Sequence, residues 1–166
     1  KGYDVHAGNL CSEVLLPSGP DESFVCCLSS MNALHYDDWK DTDAVETRTQ
    51  FLDAVMQEFI DGAKGMAHMD RAVRFAERHR AIGIGILGWH SYLQSNRIPF
   101  ESAEASLTGA EIAKTIKERS YAASAELADR FGEPPVLEGY GRRNATTMAV
   151  APTKSSSSIL GQVSPS

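Results

Sequence analysis

The chain has 166 residues, with 16 Lys+Arg against 22 Asp+Glu and a formal net charge of −6, five His counted neutral. That length suits one domain, and 42% hydrophobic with 23% charged residues excludes both a disordered polar chain and a membrane span. The acidic excess argues against a non-specific nucleic-acid binder, and only three cysteines argue against a secreted disulfide scaffold. A reducing cytoplasm is the expected compartment. No apolar run approaches the roughly 20 residues of a spanning helix, and KGYDVHAGN shows no signal-peptide core.

Residues 10–16 read as a strand, closed by Pro17-Ser18-Gly19-Pro20, and residues 24–28 as a second. After Trp39 the period changes. Val45, Leu52, Val55, Met56, Phe59 and Ile60 recur at helical spacing, Asp43 with Glu46 has the capping-box pattern, and Gly62 is the expected stop. Further helices are predicted over 66–79 and 84–95. Thr108 with Glu111 repeats the capping-box spacing before Ile112, Ile116, Ala123 and Leu127, and Gly132 with Pro134-Pro135 ends that fourth helix. Residues 133–143 read as loop, 145–151 as a third strand, and 155–160 as the first turns of a helix. The order β-β-α-α-α-α-β-α predicts an α/β architecture with some parallel pairing. An opening Lys and a close at Gln162-Val163-Ser164-Pro165-Ser166 suggest a piece of a larger or split subunit.

Three constellations could carry chemistry. In an extended chain, Asn9, Cys11 and Glu13 share one face, which brings an amide, a thiol and a carboxylate together; the plainer reading is a buried structural cysteine beside solvated polar residues. Cys26-Cys27 is a vicinal pair that cannot bridge itself without strain, so one thiol could join a distant partner, or both could be core residues. Pro152-Thr153-Lys154-Ser155-Ser156 ends a strand and opens a helix, where free N–H groups, hydroxyls and a lysine suit a phosphate; simple N-capping is the alternative. Gly83, Gly85 and Gly88 match G-x-G-x-x-G. They follow a charged helical stretch instead of a strand, so they read as glycines for close packing at the start of the third helix. The scattered histidines, with no C-x-x-C, predict no metal site.

Four ordered blocks carry a resemblance: GNLCSEVLLP at 8–17, VCCLSSMN at 25–32, RAIGIGILGWHSYL at 80–93 and RRNATTMAVAPTKSSSS at 142–158. Together they resemble the central barrel of the large, catalytic subunit of ribonucleotide reductase. The resemblance implies a segment of a ten-stranded α/β barrel with several long helices: a finger-loop strand at 8–17, a redox-cysteine strand at 24–32, a helical region at 43–131 and a phosphate-binding strand and helix at 144–160. It implies that Cys11 is the thiyl-radical residue, Glu13 the base for the 3′-hydroxyl and Asn9 the amide holding the ribose hydroxyls. Cys26 is implied to be one thiol of the reducing pair, with Cys27 departing from the family pattern, and Pro152, Thr153, Lys154, Ser155 and Ser156 are implied to bind the phosphates.

The implied reaction reduces ribonucleoside di- or triphosphates to deoxyribonucleotides for DNA replication. The implied partners are the remaining large-subunit segments, a metal-containing small subunit or adenosylcobalamin as radical source, and thioredoxin or glutaredoxin as dithiol reductant. No cofactor bound by this segment, no nucleic acid and no membrane are expected. Another thiyl- or glycyl-radical barrel enzyme, or a helical interaction module with packed cysteines, are the alternatives; the second would set Cys11, Glu13 and the Ser155 region far apart.

Overall fold

The computed structural model describes residues 4–9 and 12–166, so the predicted roles of Leu10 and Cys11 lie outside the described residues. Its elements, in order, are β1 (Cys27–Asn32), α1 (Tyr36–Trp39), α2 (Ala44–Ala63), α3 (Asp70–His79), β2 (Ile82–Leu87), α4 (Trp89–Ser95), α5 (Ala103–Phe131) and α6 (Lys154–Ile159), with short 3-10 turns after β1 and after α5. β1 and β2 are parallel, Cys27 facing Ile82 and Asn32 facing Leu87. Residues 146–149 run along the other edge of β2. Ile82 N and Ile84 N donate to Thr146 O and Thr147 O, and Met148 bridges to Ile84 in parallel. The predicted third strand is thus present only as a single bridge with flanking hydrogen bonds.

The largest correction concerns 84–95, where a helix was expected. The glycine-rich run is a strand, and only Trp89–Ser95 is helical. Ile82, Ile84 and Ile86 alternate with Gly83 and Gly85, a period of two that a six-residue apolar run does not separate from a helical one. Ile82 and Ile84 are fully buried against Val45, Leu52, Ile112 and Ile116 of α2 and α5. The glycine face is covered by residues 149–151. A Cβ on Gly83 would lie 2.6 Å from Ala149 Cβ, and one on Gly85 would overlap the Ala149 carbonyl. The glycines do serve close packing, but of chain against strand. The expected helical region 43–131 is therefore split by β2.

The long helices follow from their apolar stripes. α2 buries Val45, Leu52, Met56 and Ile60, and α5 buries Ile112, Ile116, Ala123 and Leu127. Their ends differ from expectation. Asp43 makes no side-chain cap bond, and Ala44 N donates to Thr42 Oγ1 instead; α2 also passes through Gly62 to Ala63. α5 starts well before Thr108, where Ser102 Oγ accepts from Ala105 N at 3.1 Å, and it ends at Gly132 with φ +84°. α3 starts at Asp70, not at residue 66.

Residues 12–16 form no strand. Ser12 has φ +57° and its N–H donates to Asn9 O, so the chain turns here. The second strand begins at Cys27 and extends to Asn32, later than the 24–28 expected. Among the described residues, no helix is long and apolar enough to cross a membrane.

Candidate functional site

A backbone hydrogen bond from Ser12 N to Asn9 O takes the place of the expected extended strand. Asn9 and Glu13 lie side by side, with Asn9 Nδ2 donating to Glu13 Oε1 at 3.1 Å. Asn9 Oδ1 is buried and has no hydrogen-bond partner among the described residues. A buried carbonyl oxygen left unpaired is costly, so this acceptor is suited to a donor hydroxyl that arrives with a ligand. Just downstream, Val14 and Leu16 bury against Phe75, Ala81 and Ala149, fixing the segment to the α3–β2 junction and to the chain crossing the glycine face.

Glu13 opens onto a cleft of about 490 Å³. Its walls come from Ser29 and Ser30 of β1, Arg48 of α2, and Pro152, Thr153 and Ser156 at the end of the third strand-like segment. One carboxylate, one guanidinium and several hydroxyls therefore converge on a space of nucleotide size. Lys154 and Ser155, also expected at the phosphate end, are exposed and do not line the cleft. Thr153 is the N-cap residue of α6, yet its Oγ1 accepts from Ser166 N at 2.7 Å instead of capping the helix.

The two cysteines diverge. Cys26 packs with Val14, Leu16, Phe75 and Ala149, on the side of the sheet that carries Glu13. Cys27 packs toward α2 with Met56 and Ile60. Both are free thiols. Burial, then the proximity of Cys27 and Glu13, pushes the Cys26 thiol up to about 12, so it stays protonated across the neutral range. Burial also raises the Cys27 thiol, with Asp53 adding to the rise and Arg80 opposing it.

A buried ionic cluster escaped the sequence reading. Asp53 Oδ1 accepts from Arg80 Nε at 2.9 Å and from Asn144 Nδ2 at 2.9 Å; Asp53 Oδ2 accepts from Arg80 Nη2 at 3.0 Å and Arg143 Nε at 2.9 Å. Arg80 sits just past α3 in the left-handed region (φ 45°), and its carbonyl accepts from Asn144 Nδ2. Ser124 Oγ of α5 donates to Asn144 Oδ1. The cluster ties α2, the start of β2, α5 and the strand-like segment to one carboxylate, and so sets where the chain leaves toward Thr153. The available signal was Asp53 itself, an acid on the apolar stripe of α2 between Leu52 and Met56.

Among the described residues, no three His, Cys, Asp or Glu side chains converge as metal ligands.

A parallel βαβ arrangement that presents Glu13, Cys26 and a hydroxyl-lined cleft at one side of a sheet is the layout of an α/β-barrel enzyme segment. The family model for the ribonucleotide reductase barrel domain matches residues 1–139, and the chain belongs to that family. It is 47% identical over 162 residues to a Frog virus 3 protein named as a candidate ribonucleoside-diphosphate reductase large subunit, covering 97% of this chain and 29% of the relative. It is 43% identical over 157 residues to the ribonucleoside-diphosphate reductase large subunit of Invertebrate iridescent virus 6, covering 94% of this chain and 16% of that protein. Among solved structures, the class Id ribonucleotide reductase alpha subunit of Actinobacillus ureae matches with a TM-score of 0.96 and 64% identity, over 98% of this chain and 31% of that one. The chain spans less than a third of each of these proteins.

Proposed function

We propose that this chain is a catalytic-core segment of a cytoplasmic ribonucleotide reductase, reducing ribonucleoside di- or triphosphates when assembled with the other large-subunit segments. The observation that carries the reading is the single cleft shared by Glu13 at one wall and Thr153 and Ser156 at another. The interaction-module alternative required these residues to be far apart.

The roles follow from the chemistry of each group. Cys11, as a thiyl radical, takes the 3′-hydrogen of the ribose. Glu13 accepts the 3′-hydroxyl proton, and Asn9 Oδ1 accepts a hydrogen bond from a sugar hydroxyl. Deprotonation at O3′ eases departure of the 2′-hydroxyl, which leaves as water after protonation. Cys26 and a second thiol from another segment supply two electrons and two hydrogens; C2′ gains a hydrogen, one disulfide forms, and the 3′-hydrogen returns from Cys11. Because the Cys26 thiol is held protonated, it delivers hydrogen together with the electron and avoids placing a thiolate beside Glu13. Cys11 would receive its radical from a metal-containing small subunit or from adenosylcobalamin. Thioredoxin or glutaredoxin reopens the disulfide. The solved neighbour is described as an alpha subunit, which supports a separate radical-generating subunit.

The opposite packing of the two cysteines gives the test. In the assembled enzyme, Cys26→Ser stops multiple turnover with a dithiol reductant, whereas Cys27→Ser retains turnover within a few fold of wild type. Product formation over many cycles by the Cys26→Ser variant would contradict the assignment, as would its loss only in Cys27→Ser.

A further inference from the structure

Lys154 was the cation expected near the phosphates, yet it lies outside the cleft. The cleft nonetheless holds one positive charge, brought from a different element. Arg48 lies in the second turn of α2, and its Nη1 donates to Ser29 Oγ at 3.2 Å. Five other arginines face carboxylates: Arg74 meets Asp21, Arg78 meets Glu22, Arg80 and Arg143 meet Asp53, and Arg119 meets Glu46; Arg48 differs from the remaining ones in lining the cleft. Arg48 forms no ion pair among the described residues. Its hydrogen-bond partner, Ser29, is a neutral hydroxyl, which orients the guanidinium while leaving its charge uncommitted.

Such a group at the wall of a cleft attracts an anion, and its planar fork suits the paired oxygens of a phosphate. Glu13 and Arg48 give the cleft one charge of each sign. That combination matches a ligand with a sugar hydroxyl to deprotonate and an anionic tail to hold. We propose that Arg48 binds the phosphate end of the nucleotide, with Thr153 and Ser156 at the same end and Ser29 positioning the guanidinium. The proposal rests on reading this cleft as the nucleotide site, and it places a phosphate-binding residue on α2 as well as on the loop before α6.

The test compares binding of cytidine diphosphate and of cytidine to the assembled enzyme by equilibrium dialysis. Arg48→Gln weakens the diphosphate by roughly 10- to 100-fold, the loss expected for a charge-assisted hydrogen bond, and leaves cytidine unchanged. KM rises in parallel while kcat moves little. Arg48→Lys, which keeps the charge without the fork, recovers part of the affinity. Thermal melts check folding, and Arg48→Met replaces the glutamine variant if that one melts early. Unchanged diphosphate binding, or equal weakening of diphosphate and nucleoside, overturns the assignment. So does a shifted pH profile of kcat with KM unchanged, because Arg48 would then be acting on Glu13. Failure of the assembled wild-type enzyme to form any deoxyribonucleotide would instead sink the reductase reading, while the diphosphate dependence at Arg48 would still be read from binding alone.

Discussion

Glu13→Gln in the assembled enzyme lowers turnover by roughly 100- to 10,000-fold, the usual cost of removing a positioned general base. The substitution preserves size and leaves an oxygen that can still accept from Asn9 Nδ2, so the contact between the two side chains is retained. What is lost is the capacity to take the 3′-hydroxyl proton. Nucleotide affinity should therefore change little, because the proposed phosphate-binding residues Thr153, Ser156 and Arg48 lie on other walls of the cleft. Single-turnover assays with labelled nucleotide, alongside dialysis, read both quantities. Turnover within a few fold of wild type would mean that Glu13 is only a hydrogen-bond partner of Asn9.

Asp53→Ala is expected to have the largest effect on stability, about 3–5 kcal/mol, as for other buried charge clusters that lose one partner. Asp53 and Arg80 are 5% exposed each, and removing the carboxylate leaves two guanidinium groups and Asn144 without their shared acceptor. The pH dependence follows in sign. Burial alone would raise the Asp53 carboxyl, but hydrogen bonds and charge from Arg80 and then Arg143 overcome it and hold the group below its ordinary 3.8. Its stabilising contribution is complete above that ordinary value and is lost as pH falls below 3.8 toward the lowered folded value. His79 adds a separate loss at milder acidity. Burial keeps it neutral and below its ordinary 6.5, so the unfolded state gains a proton first as pH falls through 6.5. Urea melts from pH 7 to pH 3 should show both steps in the wild type and only the His79 step in Asp53→Ala. An Asp53→Ala protein as stable as wild type at pH 7 would show that solvent already reaches the cluster.

Sequence patterning and fold part company where burial depends on distant neighbours. α2 and α5 were legible because Val45, Leu52, Met56 and Ile60, and Ile112, Ile116, Ala123 and Leu127, each lie on one helical stripe. β2 was not, because Ile82–Leu87 is too short for its period to decide and its glycines have meaning only once Ala149 is known to cross them. Asn9 and Glu13 are hydrogen-bonded where Ser12 takes a positive φ and not along an extended chain, while Cys11, expected on the same face, lies outside the described residues. Of the residues expected at the phosphate end, Pro152, Thr153 and Ser156 line the cleft, while Lys154 and Ser155 do not. Local spacing cannot say which residues of a short helix start face inward. Arg48 and Asp53 were illegible for a related reason: both act from α2 on residues far along the chain, Ser29 in one case and Arg80, Arg143 and Asn144 in the other.

A crystal structure of the assembled enzyme with cytidine diphosphate bound tests the central claim most directly. The account predicts the ribose hydroxyls against Asn9 Oδ1 and Glu13, and the phosphates beside Thr153, Ser156 and Arg48. A nucleotide seated elsewhere, or one whose phosphates lie at Glu13 and whose sugar lies at Ser156, would contradict it.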